Sequence, residues 1–380
     1  MSTPPYKLPQ AISEWGKEMI AAGLQGQTIH GAKLVSASKI GYEVFLLFQI
    51  IWIRHASTEN LHRMVPGIER WIKKAETMLA DYKSWDTYCR GFGGRDLNEG
   101  TFAIARYYQL EVDKTEDKAE FGALVTPIAH RTRANTTVGE RLAGSHLQTP
   151  TKSTGDVEMM DVEDFDSDED EVEIDESPEL PSSSPFRPET PVSKELANVL
   201  YPPSLDEQIV NCALVIFLNA LTVHFNIASN WTLHRKAFKA VFGDASFEAR
   251  TDGYLNHAGQ PKVILEVKPA SRYAKESLIQ MQESAQMVAW IKTDSDNKEH
   301  RGKRVPLHLA QDRHEIYLTV AEYNSDYVKY LNDKTSQSGA SFMTMHRFGP
   351  FNTLDRKHMK EMGPVLLGIS LWAESGEDQI

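Results

Sequence analysis

The sequence predicts an α/β (α+β) protein: a mixed β-sheet flanked by helices, with an N-terminal helical region and a long acidic linker ahead of it. Three observations lead there. Apolar and amphipathic helical patterns stand on either side of a β-hairpin pattern at Ser246–Lys268. Further strand-like runs follow towards the C-terminus. Between the two halves the composition shifts abruptly to Ser, Thr, Pro and acid, as in segments that cannot bury enough apolar surface to fold. The expected organisation is a mostly helical region at 1–129, a disordered linker at 130–195, and the sheet domain with a C-terminal extension at 196–380.

In the first region, helices are expected at Ile12–Ala22, within Ser36–Met64, and at Ile68–Tyr82, the last introduced by Pro66 and Gly67. The run Val44–Ile53 (VFLLFQIIWI) is too short to span a bilayer and too apolar to stand exposed. The helical region is therefore expected to pack on the sheet domain, with the linker as an insertion. The formal charge of −12 is concentrated in that linker. Asp156–Glu176 carries 13 acids and no Lys or Arg, leaving 41 bases against 40 acids elsewhere. Broad affinity for nucleic acid thus gains no support from net charge, though a local basic groove would suffice. Cys89 and Cys212 are the only cysteines, which excludes a disulfide framework or a zinc site built on thiolates. The opening MSTPPYKLPQ lacks the apolar core of a signal peptide, so nucleus or cytoplasm is the expected compartment.

In the sheet domain, Leu205–Phe225 reads as a largely buried helix starting near Asp206, with Glu207 in its first turn. Ser246–Leu255 reads as a strand ending in the turn cluster Asn256–Pro261, and Lys262–Lys268 as the apolar strand that returns. Alternation puts Ile264, Glu266 and Lys268 on one face and Val263, Leu265 and Val267 on the other. A hairpin centred near Gly259 sets Asp252 opposite Glu266 and Arg250 opposite Lys268; a slip of one residue would send Asp252 to the wrong face. Two facing carboxylates repel, and a divalent cation between them would reverse that sign. Ala274–Lys292 reads as a helix with Gln282, Gln286 and Trp290 on one side. Strands are expected around His314–Val320 and at Ser341–Phe348.

This order of elements, and the Asp252…Glu266-x-Lys268 spacing, resemble the PD-(D/E)XK (restriction-endonuclease-like) nuclease superfamily over roughly Ser204–Tyr323. The text EVKP…QESAQMVAWI is also similar to fungal proteins carrying such a nuclease-like domain. The resemblance implies a mixed sheet flanked by helices and a Mg²⁺- or Mn²⁺-dependent nuclease acting on nucleic acid, DNA first. It implies Asp252 and Glu266 as metal ligands, with the Val267 carbonyl and Glu207 completing the set. Lys268 would orient or deprotonate the attacking water and offset transition-state charge. Gln282 or Gln286 would correspond to the helix glutamine of RecB-type members, binding a phosphate or fixing Lys268. Arg250 and Arg272 become candidates for phosphate contacts. Two departures stand out. Thr251 occupies the position of the expected proline, and Trp290 follows Gln286 where RecB-type enzymes carry tyrosine.

Two other functions compete. A nuclease-like scaffold without activity could bind nucleic acid or a protein partner, with the acidic linker occupying a basic groove as an autoinhibitor. Separately, Arg54-His55-Ala56-Ser57-Thr58-Glu59-Asn60 looks like the Arg-His-Gly motif of histidine phosphatases, with His55 as phosphoryl acceptor. There Ala56 replaces glycine, and no second catalytic histidine is evident; a helix surface beyond a buried turn explains the same residues.

Overall fold

The computed structural model describes residues 7–34, 36–94, 97–114, 206–243, 245–296, 305–333 and 341–377. The expected linker at 130–195 lies outside them. In chain order the described elements are α1 (Ile12–Ala21), α2 (Tyr42–Leu47), β1 (Ile50–His55), α3 (Leu61–Met64), α4 (Ile68–Ala80), α5 (Lys83–Arg90) and α6 (Ala103–Val112). The second half contains α7 (Glu207–Thr222), β2 (Asn230–Thr232), β3 (Ala237–Phe242), β4 (Ala245–Arg250), β5 (Gly253–His257) and β6 (Gln260–Lys268). It continues through α8 (Glu276–Asp296), β7 (Leu307–Asp312), β8 (Glu315–Glu322), α9 (Ser325–Asn332), β9 (Met343–Asn352) and α10 (Arg356–Glu374).

A seven-stranded mixed sheet, in the order β1-β9-β8-β7-β6-β5-β2, forms the middle layer. β1 runs parallel to β9 and β6 parallel to β7; the other neighbours are antiparallel. The parallel step from β6 to β7 is made through α8, because such a step needs a long crossover. Two apolar cores cover the two faces. Val263, Leu265 and Val267 of β6 face α4, α5, α6, α7 and α10, while Ile264 faces α1, α2, α8, α9 and the separate β3–β4 hairpin. This is the alternation expected for β6.

Residues 7–114 are not a helical layer alone. The run Val44–Ile53 splits between α2 and β1, and β1 becomes an edge strand of the sheet. A helix through this run was expected, but Gln49 enters the left-handed region (φ 54°) and ends α2. The β-branched Ile50, Ile51 and Ile53 then favour the extended chain. A run buried almost throughout carries no period from which strand and helix can be told apart. The Trp52 indole donates to Ser284 Oγ of α8 (3.1 Å), and the hydroxyls of Tyr327 and Tyr330 donate to the carbonyls of Phe48 and Leu47. On the other face, α4 packs on α10 and α6 on α7.

The expected single strand Ser246–Leu255 is also two strands. β4 pairs with β3 in its own hairpin, whereas β5 pairs with β6 in the main sheet. Thr251 and Asp252 make the transition. Arg250 consequently pairs with Ala237, and not opposite Lys268. No helix among the described residues is long and apolar enough to cross a membrane.

Candidate functional site

The β5–β6 hairpin turns through Ala258 and Gly259, both at positive φ (51° and 78°), as a two-residue turn matching strand twist requires. The pairing runs Leu255↔Val263, Tyr254↔Ile264, Gly253↔Leu265, and so reaches Asp252 one residue beyond the strand, beside Glu266. The Asp252 N–H donates to the Leu265 carbonyl at 2.9 Å, and Asp252 Oδ2 accepts the Val267 N–H at 3.1 Å. The Asn211 amide of α7 holds the Asp252 carbonyl (3.2 Å), while Arg235 pairs with Asp252 Oδ1 (3.2 Å).

Glu266 is buried, and its carboxylate is saturated with donors. Lys268 Nζ and Gln282 Nε2 both donate to Oε1 at 2.5 Å, and Gln286 Nε2 donates to Oε2 at 2.6 Å. Gln282 and Gln286 are one helical turn apart on α8, so both amides reach one carboxylate. Gln286 also donates to the Arg250 carbonyl (2.9 Å), and its Oε1 lies 3.1 Å from His308 Nε2. Since an amide oxygen only accepts, His308 carries its proton on Nε2. Glu207 enters from the opposite layer. Asp206 caps α7 by accepting the Gln208 N–H (2.8 Å), which sets Glu207 at the first turn with Oε1 3.9 Å from Lys268 Nζ.

Four ionisable side chains thus converge, and their electrostatics form one problem. Burial, then the Asp252 charge, raises Glu266 to about 7 despite the donors around it. Burial likewise raises Asp252 and Glu207, with Lys268 opposing it in both. Burial works against the charge on Lys268 too, but Glu266, Glu207 and Asp252 outweigh it and hold the ammonium protonated. Three carboxylates against Lys268 and, at Asp252, Arg235 still leave excess negative charge in a poorly hydrated place, and Asp252 and Glu266 titrate as a pair.

That donor set fits a hard divalent cation: all oxygen, from three separate segments, with charge in excess of what Lys268 and Arg235 together neutralise. Among the described residues no three such side chains are already grouped at metal-ligand spacing; the Lys268 ammonium lies against Glu266 (2.5 Å) and 3.9 Å from Glu207. Asp252, Glu266 and Glu207 are the residues that could hold the ion. The expected ligand at Val267 contributes its N–H to Asp252.

The two phosphate-contact candidates fare differently. The Arg250 side chain is exposed on the β3–β4 hairpin and paired with Glu248 (2.6 Å). Arg272 is completely buried, bound to Glu283 and to Asp312 (2.5 Å), and lies 4.1 Å over the Tyr317 ring. It is a structural cation, because no phosphate can reach it there. Trp290 stacks on Phe238 inside the core. His55 ends β1 and does not lie on a helix; its Nε2 is 3.1 Å from His346 Nδ1, and His346 Nε2 is 3.0 Å from Glu322. Arg235, Asn211 and His308 escaped the sequence reading, because none lies in a motif and only the folded chain brings them to Asp252 and Gln286. Comparisons with protein-family models, with curated proteins and with solved structures find no match for this chain.

Proposed function

We propose that this chain is a metal-dependent nuclease of the PD-(D/E)XK type, cleaving phosphodiester bonds of nucleic acid, DNA first. The observation that carries the reading is the convergence of Asp252, Glu266 and Glu207, from three segments, on the Lys268 ammonium. The order α7, β5–β6 hairpin, α8 and parallel β7 supports it, as does a helix glutamine on the second acid. Mg²⁺ or Mn²⁺ held by these carboxylates would supply a water ionisable near neutral pH and positive charge against the phosphate oxygens. Lys268, held protonated, would donate to a phosphate oxygen or orient the water and offset developing charge, and would not serve as the base. Gln282 and Gln286 fix the Glu266 carboxylate, and Arg235 sets Asp252. Incubation with linear, circular and single-stranded DNA, and with RNA, in Mg²⁺, Mn²⁺ or EDTA tests this. Cleavage should require the ion and fall at least ~100-fold in Asp252→Ala. Identical behaviour of wild type and variant would end the reading.

A second reading follows from the saturation of Glu266 by three donors, which suits a scaffold that binds nucleic acid without cleaving it. In that case Lys268→Ala would retain affinity, and no turnover would appear under any ion.

A further inference from the structure

Behind Glu266 and Gln286 lies a further support that belongs to the sheet itself. His308 is the second residue of β7, the middle strand of the seven, paired with β6 and β8 on either side. Ile264 and Thr319 are its register partners, and Ala310, two residues on, is the partner of Glu266. Side chains alternate along a strand, so His308 and Glu266 share with Ile264 the face that α8 covers. The Gln286 amide spans the diagonal between them. Its Nε2 donates to Glu266 Oε2 (2.6 Å) and to the Arg250 carbonyl (2.9 Å), and its Oε1 accepts from His308 Nε2 (3.1 Å).

Turned over, the same amide would set its oxygen against a carboxylate and a carbonyl, both of which only accept. Two acceptors on one side and a donor on the other therefore fix which way it faces, and His308 is that donor. The ring cannot swing out to solvent, because His308 is fully buried. Burial first, then the positive charges of Arg272 and Lys268, push its pKa down to about 3, so it stays neutral. A neutral donor orients the amide without setting another positive charge in competition with an ion at Glu266. Packing alone does not account for a histidine here. Its Nδ1 is buried with no hydrogen-bond partner among the described residues, a desolvation cost that leucine in the same place would not carry.

We propose that His308 is a positioning residue: it holds the Gln286 amide with its N–H groups towards Glu266 and the Arg250 carbonyl, and so keeps the Glu266 carboxylate aimed for its cation. The link to a cation rests on the nuclease reading; the orientation of the amide rests on the hydrogen bonds alone.

Both parts are tested on the full chain, starting in EDTA. Long-range ¹H–¹⁵N spectra of wild type should show His308 neutral, with its proton on Nε2, throughout the neutral pH range. The Gln286 side-chain amide signals should shift in His308→Leu, which removes the donor, and return in His308→Gln, whose amide N–H reaches to where Nε2 lies. Mn²⁺ is then titrated calorimetrically in the absence of EDTA. The expected affinity is about tenfold weaker in His308→Leu, restored to within about twofold in His308→Gln, and unchanged by His308→Leu in a Gln286→Leu background. A proton on Nδ1, a charged ring, unmoved Gln286 signals, full Mn²⁺ affinity in His308→Leu, or no rescue in His308→Gln would each overturn the role. So would an equal loss in the Gln286→Leu background, the mark of damage to the core at large. Where His308→Leu fails to fold, the wild-type tautomer and the His308→Gln measurements decide. Wild type that binds no Mn²⁺ would sink the nuclease reading, and the tautomer and amide signals would still settle the role of His308.

Discussion

Glu266 concentrates the chemistry of this molecule in one carboxyl group. Burial first, and Asp252 second, raise it to about 7, well above its ordinary 4.5. A carboxyl raised on folding binds its proton more tightly in the native than in the unfolded chain. Its contribution to stability is therefore complete below about pH 4.5 and lost as pH rises through about 7. In EDTA the melting temperature should accordingly fall between pH 5.5 and 8, and Glu266→Gln should flatten that dependence. Mg²⁺ should raise the melting temperature more at pH 8 than at pH 6, since protons and the ion compete for the same oxygens. A scanning-fluorimetry series with and without Mg²⁺ reads both effects; an unchanged profile in Glu266→Gln would exclude Glu266 as the titrating group. Gln286 supports the same carboxylate from α8. Gln286→Leu strands Glu266 Oε2 and the Arg250 carbonyl without that donor, and should cost about 1–3 kcal/mol in urea unfolding. Cleavage should fall with it, while Gln286→Asn should be no better because the shorter amide cannot span to β6.

At the scale of elements, the site depends on a chain crossing between two sheets within two residues. Thr251 and Asp252 end the β4 pairing and begin that of β5, and Gly253 follows at once. The Thr232 carbonyl of β2 lies against the Gly253 Cα where any Cβ would collide with it, so β2 can pair this closely only with glycine there. Gly253→Ala should destabilise by about 1–3 kcal/mol and reduce cleavage more than stability alone explains, because Asp252 shifts with it. Gly259→Ala is the control. Its positive φ makes alanine strained by about 1–2 kcal/mol, but open space surrounds it and Asp252 is remote, so turnover per folded molecule should hold. The hairpin was legible in the sequence because turn residues and apolar alternation coincide there. The break at Thr251 was missed even though Asp252-Gly253 is a turn-prone pair of low β-propensity, because nothing local says which partner strand each half will find.

Across the whole molecule, a buried ion network ties the sheet edge to α8. Arg272 binds Glu283 and Asp312 beneath Tyr317, and Arg347 and Arg54 meet at Glu276. Burial raises Asp312 to about 6, against the pull of Arg272, so the charges here are held at a desolvation cost that only pairing offsets. Arg272→Ala leaves Glu283 and Asp312 buried without their partner and should destabilise by about 3–5 kcal/mol in denaturant unfolding. A phosphate-contacting arginine would behave otherwise, lowering the salt dependence of nucleic-acid binding by about one unit of slope with little effect on stability. Measuring both quantities on this one variant separates the two roles.

Local chemistry along the chain was enough for the mixed α/β class, the helix bearing Glu207, the β5–β6 hairpin, the shared face of Glu266 and Lys268, and the two glutamines of α8. Each of these is written in local periodicity, capping or turn chemistry, which nearest neighbours along the chain enforce. It took the folded chain to make Ile50–His55 an edge strand, to wall Arg272 into the core, and to bring Arg235, Asn211 and His308 to the site. Those outcomes depend on which surfaces meet across the sheet. A continuous apolar run or a lone arginine carries no period that could announce its partner.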